Sequence, residues 1–249
     1  MEKRQLVILG ATAAGIALAV QRPDALLLEA GTLLAGEWLA SMNIRPDDGS
    51  PLGAQAEALR EECRALHALG AEGRIYTPPM VSIMASHLKA AGTDVRFLSQ
   101  IIDIAAVHSG FLVSWMDMAG MHAVLAAQLV DTRSFGGRKS ICTVLSAESI
   151  PPEAPSPHYQ VLQGYLPHEW VVKWHLPFEA DWPAARSVVH EGIAKLPGCR
   201  LAAIAPVFSY DYDEAVFRRE ADGRISCCSA SYPHLFAAWE GGVVCATAL

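Results

Sequence analysis

The fold class that the sequence predicts is α/β, built on a parallel sheet, and three observations predict it. Residues 6–9 are an apolar run that ends in a turn holding Gly10 and Gly15. Small residues follow, and a second apolar run over 25–28 ends in Glu29. Strand, turn, small-residue helix, strand and terminal acid in that order describe a βαβ unit. Further on, the apolar runs at 101–107, 111–116 and 121–130, with Gly110 and Gly120 between them, predict a three-stranded β-meander. At the C-terminus a strand over 224–229, a short loop and a helix over 235–249 return the chain to the first unit. The expected organisation is therefore a discontinuous dinucleotide-binding domain, 1–137 and 223–249, enclosing a small antiparallel α+β substrate or cap domain over 138–222.

In a βαβ unit of this kind the glycine turn lets the backbone approach a pyrophosphate. The helix N-terminus offers free N–H groups to the negative charge, and the acid holds a ribose hydroxyl. Gly10 and Gly15 fill the first and third positions of G-x-G-x-x-G, while Thr12 stands in the second. A side chain there takes room from the phosphate, and the Thr12 hydroxyl can compensate by donating to a phosphate oxygen. Glu29 follows Gly10 by 19 positions, near the spacing of about 20 that the motif requires. A Rossmann-like unit whose ligand site has been lost is the competing reading. The segment also has the shape of a secretory signal, with Lys3 and Arg4 ahead of an apolar run over 6–20. Gly10 and Gly15 interrupt that run at motif positions, and the second strand has no place after a signal, which favours the dinucleotide reading.

Apolar residues make up 52% of the chain and charged residues 18%, a balance that fits a well-buried globular protein. The net charge is −7 with no basic stripe, which argues against a nucleic-acid partner. No stretch reaches about 20 uncharged apolar residues, so no membrane span is expected. The six cysteines form no C-x-x-C pair, which removes zinc-ribbon and dithiol readings. The adjacent Cys227 and Cys228 read as small core residues, and the chain as a reduced, cytoplasmic protein. No metal site is expected.

The remaining elements follow in order. Residues 31–43 read as a glycine-containing loop and 45–53, rich in Pro, Asp and Gly, as an exposed one. A helix over 54–69 carries Leu59, Cys63, Leu66 and Leu69 on one face, with Glu57, Arg60, Glu61, Glu62 and Arg64 outside it. A helix over 80–91 stops at Gly92, and a short strand at 95–98 precedes the meander. After the polar loop 131–137 comes a strand at 140–145 and then a linker over 150–157 with four prolines. Runs at 159–165 and 170–176 make a hairpin. Asp181 caps a helix over 182–196 with Pro183 in its first turn, and 201–212 is extended and aromatic. Helices are expected on both faces of the parallel sheet.

Three segments in this order resemble the FAD-dependent oxidoreductases of the glutathione-reductase-like fold, in the group with a single Rossmann FAD domain and an inserted substrate domain. They are Gly10 to Gly15 with Glu29; the stretch from Leu88 through Gly92, Val95, Ile101 and Ile102 and the meander to Leu129-Val130-Asp131-Thr132; and the closing Cys228 to Gly242. The resemblance covers about three fifths of the chain. It implies FAD as cofactor and hydride transfer from a small organic substrate to the flavin. It implies backbone contacts to the pyrophosphate from Gly10, Ala13, Ala14 and Gly15, with Glu29 and Ala30 at the adenosine ribose. Ile102 would meet adenine through its main chain, and Thr132 would lie near the pyrophosphate or ribose. Pro233 and His234 would stand at the final helix start beside the flavin, with His234 the candidate catalytic residue.

The sequence also departs from that pattern. Thr12 replaces the middle glycine, Arg133 stands where a small residue is usual, and the closing segment offers Ser229 or Ser231 in place of the acid that contacts the ribityl chain. These departures keep open a non-catalytic or partner-dependent nucleotide- or flavin-binding protein, in a homo-oligomer or as a partner's subunit. The bland alternative for His234, a polar residue capping the last helix, is the one its position favours. The aromatics Tyr159, Tyr165, Trp170, Trp174, Tyr210 and Tyr212 read either as an apolar substrate wall or as core. Asp211, Asp213 and Glu214 read as a solvated turn rather than a metal cluster.

Overall fold

The structure is a computed structural model that describes residues 2–134, 136–148 and 156–249; the expected linker at 150–157 falls mostly outside them. Two sheets organise the chain. In the first, β13 (Ile225–Cys227), β6 (Gly120–Asp131), β1 (Glu2–Leu9), β2 (Leu26–Leu28) and β3 (Asp94–Arg96) run parallel, side by side in that order. The strand β12 (Phe217–Arg219) adds antiparallel to β13, so this stretch of the expected inserted domain belongs to the first sheet. The meander is β4 (Gln100–Val107), β5 (Gly110–Asp117) and β6, each antiparallel to the next. Thus β6 is a strand of the meander at its start and of the parallel sheet at its end.

Alternation along the strands decides what covers each face. Leu6 and Ile8 of β1 and Leu27 of β2 point to one side, where they pack with α1 (Ala13–Gln21), α2 (Ala54–Ala65), α3 (Thr77–Ala91) and α5 (Leu235–Ala248). Val7, Leu9, Leu26 and Leu28 point to the other and pack on Phe111, Val113 and Trp115 of the meander. The expectation of helices on both faces is therefore corrected: the meander supplies the second cover, because β5 turns its own alternate residues inward. All of α1 from Ala13 to Ala19 is buried, which explains why its sequence is small and apolar on every side.

The second sheet has the order β10 (Arg200–Ile204), β7 (Arg138–Ser146), β9 (Glu169–His175) and β8 (Tyr159–Gln163), with β11 (Ser209–Asp211) also pairing β7. Packed on it is α4 (Trp182–Ile193), whose start is set by the Asp181 side chain accepting from the Ala184 N–H, as the sequence predicts. Trp174 and Trp170 pack in this second core. Gly92 ends α3 in the left-handed conformation, also as expected.

One surface expectation fails. Arg60, assigned to the outer face of its helix, is 3% exposed. It donates to Asp47 at 2.9 Å, to the Ser50 carbonyl at 2.8 Å and to Glu57 at 2.7 Å. The loop 45–53 folds back over α2, so its acid and the helix arginine neutralise each other inside the protein.

The helices α1 and α5 cross so closely that Gly242 has no room for a side chain. A Cβ there would lie 2.1 Å from the Ala14 carbonyl oxygen and 2.8 Å from the Ala17 Cβ. Gly242→Ala is expected to destabilise the protein by ~2–3 kcal/mol through overpacking. The measurement is the urea midpoint at unchanged m-value.

Candidate functional site

The site expected at the end of β1 is assembled there, tightly. Gly10 has a φ of 95°, and its N–H bonds the Leu28 carbonyl at 2.8 Å. Gly15 packs directly on it: a Cβ at position 15 would lie 2.1 Å from the Gly10 carbonyl oxygen. Gly10 is thus required by its backbone conformation and Gly15 by space. Glu29, at the end of β2, accepts from the Ala11 N–H at 2.7 Å through one oxygen and from the Gly31 N–H at 2.7 Å through the other. The acid is therefore anchored across the turn at the sheet edge, with further lone pairs for a hydroxyl donor. Ala30 beside it is exposed.

Thr12 does not turn its hydroxyl outward. It accepts from the Gly15 N–H at 3.0 Å, as the N-cap of α1, and donates to the Thr132 hydroxyl at 2.7 Å. Thr132 in turn reaches the Leu9 and Gly10 carbonyls at 2.9 and 3.0 Å. Thr12 and Thr132 therefore tie the turn to the end of β6. Beside them Arg133 folds back on the fully buried Asp131, with contacts of 2.9 and 2.7 Å. Its Cγ would stand 2.8 Å from a Cβ on Gly10, so its stem covers the turn.

The N–H groups at the start of α1 are already in use. Glu37 accepts from the Ala13 N–H at 2.7 Å and from the Ser229 hydroxyl at 2.6 Å, and the Ala14 N–H donates to that hydroxyl at 3.2 Å. The second Glu37 oxygen is buried without a hydrogen-bond partner among the described residues. Burial pushes the Glu37 carboxyl up to about 7, against the pull of the Ser229 and Ala13 hydrogen bonds. The cause is local: the Ala35 N–H docks on the Ala11 carbonyl at 2.7 Å and Trp38 is buried, which hangs Glu37 over the helix start. Sequence reasoning read this segment as a plain loop. Its one signal is a lone acid between Gly36 and Trp38 in an otherwise uncharged stretch.

His234 and Ile102 are the remaining expected site residues. His234 is the N-cap of α5, accepting from the Ala237 N–H at 3.3 Å through Nδ1. Its Nε2 faces Asp48 at 3.3 Å and Asp47 at 3.6 Å, and its ring is 1% exposed. Burial holds the imidazole below its usual range. Both nitrogens are thus engaged within the protein, and Pro233 ahead of it is exposed. The Asp47, Asp48 and His234 side chains lie close enough to share a cation, but Arg60 already neutralises Asp47. Ile102 lies on β4, beyond the stretch where the Leu98 and Ser99 N–H groups bond the Gly31 and Glu29 carbonyls. Its side chain is 51% exposed.

A second candidate region lies on the antiparallel sheet. A cavity of about 1040 Å³ is bounded by β7, β8, β9 and β11 and by Arg45. Of the expected aromatic wall, Tyr159 and Tyr212 line this cavity, whereas Trp174 is core and Tyr165 packs on Tyr76. Asp211 is corrected from a solvated turn to a strand residue: it accepts from the buried Lys173 at 2.5 Å. None of the three cavities identified is lined by a residue of the Gly10–Gly15 turn.

No helix among the described residues is long and apolar enough to cross a membrane. No protein-family model and no curated protein matches the chain. Solved structures do. A glycine oxidase from Geobacillus kaustophilus aligns over 99% of this chain and 94% of its own, with a TM-score of 0.63 at 12% identity. A flavoprotein/dehydrogenase from Cytophaga hutchinsonii aligns over 97% of this chain and 76% of its own, with a TM-score of 0.58 at 12% identity. An aklavinone-11 hydroxylase, solved with FAD and aklavinone, aligns over 99% of this chain at a TM-score of 0.54 and 14% identity, and the present chain spans 61% of its length. At such identities the likeness is one of fold: the chain has the α/β architecture of FAD-binding flavoproteins, a parallel Rossmann-like sheet with a separate antiparallel one.

Proposed function

We propose that the protein is an FAD-dependent oxidoreductase acting on a small organic molecule. The observation that carries this reading is the Gly10–Gly15 turn with Glu29 anchored across it, at the edge of a sheet shared with FAD-binding proteins. The residues fit the adenosine half of such a cofactor: Glu29 keeps lone pairs for ribose hydroxyls, and the backbone at Gly10 is bare of side chain. They fit the diphosphate only once Glu37 leaves, because its carboxylate now holds the Ala13 N–H and the Ser229 hydroxyl that takes the Ala14 N–H. When bound, the flavin supplies the two-electron chemistry. The protein's part is then to bind and orient: Gly10, Ala13, Ala14 and Gly15 through backbone, Thr12 and Thr132 by fixing the turn, and Ser229 at the helix start. The N-terminus of α5, capped by His234, carries a partial positive charge of its own. A hydride donor for the flavin is the substrate class that this reading implies.

A partner-dependent or non-catalytic dinucleotide-binding protein is the second reading. The filled helix start and the Arg133 stem over the turn favour it.

The test is flavin retention. The purified protein, incubated with excess FAD and desalted, is expected to keep the visible absorbance of oxidised flavin. Glu37→Ala is expected to bind FAD at least ~10-fold more tightly than the parent, since a competing intramolecular anion is gone. Glu29→Gln is expected to weaken it. Folded parent and Glu37→Ala proteins that both emerge colourless would overturn the reading in favour of the second.

Glu37 also sets a pH dependence of stability. Its carboxyl titrates at about 7 in the folded protein against an ordinary value of 4.5, so the native state holds the extra proton between those values. Stability is then expected to fall as pH rises from ~4.5 to ~7, by at most ~3 kcal/mol. Glu37→Gln is expected to flatten that slope in chemical denaturation run across this range.

A further inference from the structure

The cavity on the antiparallel sheet is built as an anion receptor. Its walls carry Arg45, Arg138, Lys139 and Lys173, with His175 beside them and Asp211 as the single carboxylate. Four basic side chains against Asp211 and the nearby Asp213, which pairs with Arg138, leave the chamber net positive.

The hydrogen-bond inventory points the same way. Lys173 is 1% exposed, and its ammonium donates to Asn43 Oδ1 at 2.8 Å and to Asp211 Oδ1 at 2.5 Å. An ammonium has three donors, so one N–H is left without an acceptor among the described residues. Arg45 gives one Nη2 bond to the Ala230 carbonyl at 3.3 Å and stands 3.6 Å from Asp211, while its Nε is buried with no acceptor among the described residues. Its guanidinium is held 5.0 Å over the Trp38 ring, so it is not free to swing out to water. Buried donors left unmet are costly, and an acceptor brought by a ligand would relieve them. Lys139 is also fixed, by the Ala180 carbonyl at 2.6 Å and the Phe208 ring at 4.1 Å. Arg138 is the exposed member, paired with the exposed Asp213 at 2.9 Å. Tyr159, Phe178 and Tyr212 give the same chamber apolar surface.

From this arrangement we infer that the chamber binds an organic carboxylate with an aromatic or similarly flat apolar body. The carboxylate meets Lys173 and Arg45 at the floor, Arg138 and Lys139 flank it, and the ring lies against the tyrosines. The volume of about 1040 Å³ admits a bicyclic molecule with room to spare. Naming this anion as the molecule that is oxidised rests on the flavin reading above. The binding does not.

The experiment is isothermal titration of the full chain with 2-naphthoate and its neutral isostere 2-naphthamide, with inorganic phosphate as a third probe, each in the presence and absence of FAD. Naphthoate is expected to bind at least ~10-fold more tightly than naphthamide, with affinity falling as salt rises. Arg138→Gln, at a side chain that is 67% exposed, is expected to weaken naphthoate severalfold and leave naphthamide unchanged. Lys173→Met is expected to abolish the preference; if that chain does not fold, Lys139→Gln serves the same purpose. Equal binding of naphthoate and naphthamide, no binding of either, or binding of phosphate alone overturns the inference. Carboxylate binding in a protein that retains no FAD supports the chamber and sinks the flavin reading. FAD retention without carboxylate binding does the reverse.

Discussion

How little room lies between Gly10 and Gly15 governs the whole carboxyl edge of the parallel sheet. With the Gly15 Cα pressed on the Gly10 carbonyl, α1 leaves β1 at a fixed angle and its first N–H groups point along one line. Thr12 and Thr132 then lock that turn to the end of β6. The same close packing recurs behind α1, where Gly242 lets α5 lie against it. Loosening any of these contacts would move the helix start relative to Glu29, and the two ends of a bound dinucleotide would no longer be served together.

The second sheet follows a different logic. Its core is a set of aromatic and branched side chains around Trp174 and α4, which fixes one face of β9. Lys173, next in sequence, must point the opposite way. Strand alternation thus puts an ammonium on the face that Asn43 and Arg45 approach from the first half of the chain. Burial there lowers the affinity of Lys173 for its proton, while Asp211 acts to retain it. That acid comes from β11, which pairs with β7, and stands 2.5 Å from the ammonium.

Local features of this fold are legible in the sequence, and distant ones are not. The βαβ unit, the meander and the caps at Asp181 and Gly92 all depend on residues a few positions apart, where period and turn chemistry speak directly. Cover of the second face of the parallel sheet was misread, because inward alternation on β5 shows which residues are buried and not what they are buried against. Arg60 looked solvated because its partner Asp47 sits in a loop of Pro, Asp and Gly that composition marks as exposed. Asp211 looked solvated because Lys173, its counter-ion, is 38 positions away. Glu37 left the faintest trace, since its role comes from a single backbone bond between Ala35 and Ala11.

A carboxylate tethered at a helix start behaves as a ligand at fixed effective concentration. For a short flexible tether that concentration is in the millimolar range. On the flavin reading, a dissolved dinucleotide at micromolar levels would compete against it from behind, and would win only through its other contacts, at Glu29 and along the sheet edge. Occupancy would then be graded by those remote contacts and less by the phosphates. Adenine nucleotides that carry a diphosphate but cannot engage both ends would be turned away by the protein's own side chain.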